Sequence, residues 1–514
     1  MPFLERCMEI VPLFKEVGIS SVINGLITHT PDDNLLVGPA KGLRNFWNLC
    51  GASIGIAQGG IGKYLAQWMV HGQTELNMAS LDSRRFDLWA DKKYCITRAI
   101  ESYERMYAMS VPNENRPHGR PIKVSALHTV LSQKGAVHIV NTGFEKPAWF
   151  TTENIIKESH TWAHSEAHEA VALECAAVEN YCGVSDISGT AKFKVTGKDA
   201  FEFLNQLSCN KLPAKDGRIG LTLFHAPNGG IMAEQTISRI NQEHFILMGA
   251  IGSQVKDYQW LECHSDGYEV EIEDITESWG GLLLTGPNAR QILEQCTQED
   301  LSNNGFSWLS CRNITIDSAS VFAMRVSYAG ELGWELHLPR DSAESVYDVL
   351  MEAGKNYRIS NAGYRAIESL RLEKSYRAWG ADITADTTPF EAGLGWAVKL
   401  NSGIHFIGRE ALLAQQNKPL QKRLACFTIN DPEVVLLGRE TIYRNGEVVG
   451  WLTSGGWGYT VNKNIGCGYV RNPEGVDNEY LKSGTYELEI ATIRHPCKLQ
   501  NGPLYDPKME RVRK

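Results

Sequence analysis

Thr196-Gly197-Lys198-Asp199-Ala200-Phe201-Glu202-Phe203-Leu204-Asn205-Gln206 and Thr285-Gly286-Pro287-Asn288-Ala289-Arg290-Gln291-Ile292-Leu293-Glu294-Gln295 are two copies of one pattern. Each follows an apolar, strand-like run and opens on a glycine turn. In the second copy Ala289, Ile292, Leu293 and Cys296 recur at helical spacing, and Pro287 suits a first-turn position, where its missing N–H loses no bond. Both copies therefore read as strand-turn-helix units. A third helix, with Ala343, Val346, Tyr347 and Leu350 on one face, follows a strand over 321–326. Helices alternating with strands that elsewhere form hairpins predict an α+β domain with ferredoxin-like halves over 151–400.

Beyond Arg423 the pattern changes to short strands over 424–429, 441–444, 447–451 and 486–490. Asn445-Gly446 between two of them is a hairpin signal, because both turn residues must accept positive φ. A small β-barrel over 401–514 is the expectation. Upstream, residues 1–85 alternate apolar runs with glycines and end in Gly59-Gly60-Ile61-Gly62-Lys63 ahead of a helix with Leu65, Trp68 and Met69 on one face. Residues 86–150 are polar and aromatic, broken at Arg120-Pro121 and Lys146-Pro147, and read as a connector with partial structure of its own.

A chain of 514 residues exceeds one ordinary core, and about three or four domains are expected. With 43% hydrophobic and 22% charged residues it has the composition of a soluble globular protein. A net charge of -9 provides no broad cationic surface for nucleic acid or acidic lipid, and no apolar run approaches the roughly 20 residues of a membrane span. Twelve cysteines without a CxxC pair argue against a disulfide framework and for a reducing compartment. The start, MPFLERCMEI, has neither a secretory apolar core nor an Arg/Ser-rich transit pattern.

Several stretches carry chemistry. A helix opened by Gly59, Gly60 and Gly62 offers free N–H groups and close approach to a planar or anionic ligand; the same glycines also fit a helix packed tightly on a strand. No GxGxxG fingerprint is present, so no complete dinucleotide-binding unit is encoded. Asn228 to Ile237 is a turn entering a strand that carries Glu234 among apolar neighbours, placed either to accept a proton or merely to face solvent. Ser327 to Glu335 sets Tyr328, Glu331 and Glu335 around a glycine turn, a pocket rim or a plain turn. In Asn361 to Lys374 the i, i+3 pair Glu368 and Arg371 fits a solvated ion-paired face, or an arginine clamp for a carboxylate. His164 and His168 stand at i, i+4 without the HExxH order, which points to a surface helix and no metal.

The order of these features resembles the sarcosine and dimethylglycine dehydrogenase family, whose back half is similar to the aminomethyltransferase of the glycine cleavage system. In the flavin portion, 1–85, the resemblance rests on Asn24-Gly25, Thr30-Pro31-Asp32, Gly38-Pro39, the Gly51 to Lys63 series, Trp68, His71-Gly72 and Arg84-Arg85-Phe86. The connector, 86–150, supplies Glu101-Ser102-Tyr103, Gly119-Arg120-Pro121 and Gly143 to Phe150. The folate portion and its barrel supply Tyr328 to Glu335, Asn361 to Glu373, Trp379, Pro389 to Leu394, Phe406 to Arg409, Thr453-Ser454-Gly455 and Tyr505-Asp506-Pro507. The Asn361 to Ile367 and Lys482-Ser483-Gly484 stretches look closest to sarcosine dehydrogenase.

The resemblance implies oxidation of sarcosine or dimethylglycine with FAD, followed by capture of the released carbon on tetrahydrofolate. It implies Glu234 as the catalytic carboxylate, where the family usually carries aspartate, Tyr328 and Glu335 as a pterin-side pair, Arg371 in the same pocket, and Gly59, Gly60 and Gly62 against the flavin. One methylene more than aspartate could shift the acceptor by about 1 Å, enough to cost ~10²-fold in rate. An electron-transfer flavoprotein would take the electrons, and a mitochondrial matrix location is implied. The family's nucleotide-binding front half falls upstream of Met1, so the FAD site is expected to be incomplete in this chain. Two other readings share the architecture: a flavin-free, folate-dependent aminomethyltransferase-like protein, and a regulatory subunit like that of pyruvate dehydrogenase phosphatase.

Overall fold

The computed structural model describes residues 2–514 apart from 24, 52–57 and 73. Asn24 and most of the Gly51 to Lys63 series before the helix fall outside the described residues. The repeat forms as read: strand Ala191–Thr196 turns at Gly197 into helix Ala200–Leu207, and strand Trp279–Thr285 turns at Gly286 into helix Ala289–Cys296. Both glycines are obligatory. Gly197 and Gly286 sit at φ +130° and +133°, and a Cβ would lie 2.1 Å from the Glu269 carbonyl oxygen in one and 2.7 Å from that of Tyr181 in the other. Pro287 stands one residue ahead of the cap Asn288, not inside the first turn.

Each helix covers one face of a sheet, antiparallel in the first case and mixed in the second. The first sheet has the order Glu271–Asp274, Ala191–Thr196, His244–Gly249, Ile231–Asn241, Arg218–His225. The second runs Cys311–Ile316, Ala319–Met324, Gly333–Pro339, Trp279–Thr285, Cys182–Asp186, Ile359–Asn361, the last pair parallel. The predicted third helix is Ala343–Gly354, with Ala343, Val346, Tyr347 and Leu350 all buried. It shares a core with Ile292, Leu293, Leu284 and Trp334.

The carboxy-terminal region closes into a six-stranded barrel, ordered Lys422–Ile429, Lys463–Arg471, Glu447–Gly458, Thr441–Arg444, Tyr486–Ile490, Ile493–Gln500. Asn445 and Gly446 take φ 51° and 86°, as the hairpin demands. Strands 463–471 and 493–500 escaped the sequence reading. Lys463–Arg471 is buried on both faces along most of its length and so lacks alternation. Cys426 and Cys467 stand directly opposite each other on the paired strands Lys422–Ile429 and Lys463–Arg471 and are disulfide-linked, while the remaining cysteines are free. No framework of bridges exists among the described residues.

The connector holds more structure than its composition suggests: helices Lys92–Glu104 and His128–Gln133, then a hairpin of Ala136–Asn141 and Phe144–Phe150. Every residue of Phe144–Phe150 is buried. Ala148 and Trp149 join the core formed by helices Ala167–Asn180 and Tyr364–Glu373. No helix among the described residues is long and apolar enough to cross a membrane.

Candidate functional site

Alternation on strand Ile231–Asn241 sends Ala233, Gln235 and Ile237 into the core and Glu234 to the opposite face. Glu234 is only half-buried by surface, yet burial pushes its carboxyl up to about 7 against the pull of the Arg377 guanidinium. Free surface deep inside the molecule describes a side chain lining a recess. Tyr328 behaves alike: 37% of it is exposed, while burial holds its hydroxyl well above the ordinary tyrosine range, with Arg371, Glu368, Glu234 and Asp382 as its charged neighbours. Its hydroxyl donates to the Arg377 carbonyl at 2.8 Å. The Ser327 to Glu335 turn is thus both a turn and a pocket rim.

Arg371 corrects both readings of its segment. The helix Tyr364–Glu373 is mostly buried and Arg371 is 1% exposed, so no solvated ion-paired face exists there. An arginine has five N–H donors, and here all are occupied. Nε donates to Glu368 at 2.9 Å, Nη1 to the Tyr376 carbonyl at 2.9 Å and to Asp382 at 2.8 Å, and Nη2 to Ser454 Oγ at 3.0 Å and to Glu368. Arg371 therefore organises the recess without a donor left for a ligand. Asp382 completes the hub, accepting also from Thr453 Oγ1 at 2.6 Å and the Ala378 N–H at 2.9 Å, while Tyr469 donates to its carbonyl at 2.8 Å. Thr453, Ser454 and Tyr469 belong to the barrel, which accordingly closes this side of the recess.

Arg377 has the free donors that Arg371 lacks. Its Nε and Nη1 donate to the Ala392 and Ser375 carbonyls at 3.0 and 2.7 Å, and Nη2 has no acceptor among the described residues. Its charge lies within reach of Glu234. Nothing in the periodicity of the sequence points to Arg377, because it follows the helix in an irregular segment.

Glu335 is not brought to Tyr328. It sits on strand Gly333–Pro339, bonded by His337 Nε2 at 3.3 Å, and its charge acts on buried Lys192. Gly59, Gly60 and Gly62 lie in the opening turns of helix Gln58–His71, and a Cβ on any of them would meet nothing within 4 Å among the described residues. Among the described residues, no strand packs tightly against these three glycines. His164 lies ahead of helix Ala167–Asn180, so the two histidines do not share it. Their rings are 4.0 Å apart, and His168 Nδ1 meets the Tyr459 hydroxyl at 3.0 Å. No metal-binding group of residues occurs among those described. A separate cavity of about 580 Å³, lined by His168, Glu169, Glu179, Trp457 and Tyr459, contains none of the predicted site residues.

Two sheets under covering helices, a capping barrel and a recess with one free carboxyl define an aminomethyltransferase-type module. Residues 127–402 match the GCVT N-terminal domain, residues 422–506 the glycine cleavage T-protein C-terminal barrel domain, and residues 71–125 the FAD dependent oxidoreductase central domain. The chain belongs to the glycine cleavage T-protein family, in an arrangement that joins it to a flavin-enzyme segment. It is 38% identical to dimethylglycine dehydrogenase of Homo sapiens over 100% of this chain and 59% of that protein, and 33% identical to sarcosine dehydrogenase of Mus musculus over 99% and 60%. It thus spans about three fifths of the length of these relatives. An aminomethyltransferase of Caldanaerobacter subterraneus is 31% identical over 66% of this chain and 88% of its own length. The crystal structure of glycine cleavage system aminomethyltransferase T from Bartonella henselae covers 75% of this chain and 98% of its own, with a TM-score of 0.64 at 24% identity, and shows the same fold.

Proposed function

We propose that the chain acts within a dimethylglycine or sarcosine dehydrogenase, as the part that receives the carbon released by oxidative N-demethylation and loads it on tetrahydrofolate. The recess carries this reading: Glu234 has a free carboxyl pushed to about 7 by burial, beside Arg377 and Tyr328. A group with that pKa is half-ionised near neutrality and suited to accept or return a proton at a folate nitrogen. Arg377 is placed to meet an electron-rich edge of the pterin. Glu335, joined to His337, is proposed to bind farther out, or only after a shift. Identity favours dimethylglycine over sarcosine, whereas the Asn361 to Ile367 stretch resembles sarcosine dehydrogenase.

FAD, when bound, supplies the two-electron oxidation. The open glycine face of helix Gln58–His71 fits close approach of its ring, and exposed Ile23, Leu26 and Leu88 offer apolar surface for a nucleotide-binding unit, whether in the same gene product or a partner chain. An electron-transfer flavoprotein as acceptor and a mitochondrial, matrix location complete the proposal; the relatives' names place those proteins in mitochondria.

The test compares wild type with Glu234→Gln in reduced-folate affinity and in methylene transfer. Unchanged affinity with transfer lowered by about 10²-fold or more is expected for a lost proton acceptor. Full transfer by the variant would remove Glu234 from the mechanism. No folate binding by either would favour a regulatory role, as in the pyruvate dehydrogenase phosphatase regulatory subunit of Mus musculus, which is 32% identical.

A further inference from the structure

Lys146 is a lysine the folate reading leaves unused. It lies on strand Phe144–Phe150, opposite Ile139, and is 7% exposed. Its Nζ stands 3.2 Å from the centre of the Tyr364 ring and has no hydrogen-bond acceptor or ion-pair partner among the described residues. Other buried cations of this molecule are bonded. Lys192 donates to the Ser188 and Thr190 carbonyls at 2.7 and 2.9 Å, and Lys374 to Asp506 at 2.8 Å. Nor is the Lys146 nitrogen sealed off, since it is absent from the buried, unpartnered atoms. The small surface it retains opens toward Tyr364, itself 39% exposed, and Glu368, which is one helical turn further on and accepts from Arg371. Glu368 and Arg371 are also charged neighbours of Tyr328, so Glu368 links Lys146 to the wall of the recess that Glu234 lines.

We propose that Lys146 is a nucleophilic amine that captures a small aldehyde of the formaldehyde class as a covalent iminium at the edge of this recess. Three features support the chemistry. An unbonded amine keeps its lone pair available once the proton leaves. Burial draws its ammonium down to about 8, against the pull of Glu368, so a usable fraction is neutral at pH 7. Tyr364 keeps its proton, because burial and the neighbouring Glu368 carboxylate raise its hydroxyl above the ordinary range.

The neutral amine attacks the carbonyl carbon, forming the C–N bond while the C=O π bond breaks, and one proton passes from the nitrogen to the carbonyl oxygen. A second proton on that oxygen lets it leave as water, giving the N-protonated iminium. Amine, aldehyde and one proton become iminium and water, with no change of oxidation state. Resting on the function proposed above, a secondary amine of the reduced folate would then add to the iminium carbon and pass its proton to the lysine nitrogen, and cleavage of the lysine C–N bond would leave the carbon as an iminium on the folate nitrogen and the lysine as a free amine. The site would hold an aldehyde that escaped the oxidation step instead of letting it diffuse away.

The whole chain is treated at pH 7 with limiting formaldehyde and cyanoborohydride, which reduces each iminium to a methylated lysine, and peptides are mapped by mass over time. Lys146 should gain methyl groups at least about tenfold faster than exposed Lys198, the excess of free amine outweighing its weaker basicity. Lys146→Arg should abolish the fast phase and leave surface labelling intact. Labelling of Lys146 no faster than Lys198, or a fast phase that survives in the arginine variant, would overturn the proposal; if that variant does not fold, the wild-type map decides alone. Rapid labelling in a protein that binds no reduced folate would sustain aldehyde capture and sink the folate reading, and folate binding with slow labelling would do the reverse.

Discussion

Tyr328 donates its hydroxyl proton to the main-chain carbonyl of Arg377 at 2.8 Å. This bond ties the glycine turn of one sheet to the irregular segment after helix Tyr364–Glu373, and it fixes the two walls between which Glu234 faces. Tyr328→Phe keeps the ring and removes the tie. Loss of one such bond is expected to lower stability by roughly 0.5–1.5 kcal/mol and to weaken reduced-folate binding, read by denaturant unfolding and by titration. An unchanged affinity would separate this loop from the ligand.

Arg371 is a structural hub, and its replacement should act on the fold before it acts on ligand. Arg371→Ala leaves Asp382 buried and Glu368 partly buried without their cation, a loss expected to cost roughly 3–5 kcal/mol. Arg371→Lys should recover little, since an ammonium cannot fill a planar five-donor fork. Arg377→Gln should instead lower folate affinity with little change in the unfolding midpoint. If the two phenotypes were exchanged, the roles assigned to these arginines would be wrong.

Burial pushes the carboxyls of Glu174, Glu234 and Glu331 up to about 7. Each holds its proton more tightly folded than unfolded. The stability this confers is complete below the ordinary glutamate value and lost as pH rises through 7. Buried His138, His168 and His225, lowered to about 4, act in the opposite sense below pH 6.5, so the carboxyl contribution is read as a difference: the wild-type melting temperature relative to that of Glu234→Gln should fall between pH 5 and pH 8. A difference that stays constant over this range would contradict the burial of Glu234.

Gly197→Ala should destabilise by well over the ~1 kcal/mol that a positive φ alone costs, because its Cβ collides with the Glu269 carbonyl. Gly60→Ala meets none of the described residues within 4 Å and should stabilise its helix by up to about 1 kcal/mol. If the glycine face lies against flavin, the same change should weaken flavin retention once the nucleotide-binding unit is supplied. Stabilisation without any effect on flavin would free Gly60 from that role.

The repeat was legible because glycine, helical periodicity and the preceding strand all pointed one way. The barrel hairpin was legible at Asn445-Gly446 for the same local reason. Strand Lys463–Arg471 was not, since burial on both faces erases alternation, and strand Phe144–Phe150 hid in a stretch broken on paper by Pro147. The site divided similarly. Glu234 stood out as a carboxylate among apolar neighbours, and Tyr328 as an aromatic beside a glycine turn. Arg371 looked like half of an exposed pair because i, i+3 spacing says nothing about what covers the helix. Arg377 and Asp382 join the recess, and Lys146 meets Tyr364, only through tertiary packing, which no spacing encodes.

Calorimetric titration of a reduced folate into the folded chain tests the central claim most directly. Saturable heat at one site, with affinity reduced in Arg377→Gln and largely retained in Glu234→Gln, is the predicted result. Absence of heat, together with no protection of Lys146 against methylation, would mean that the recess does not hold a pterin.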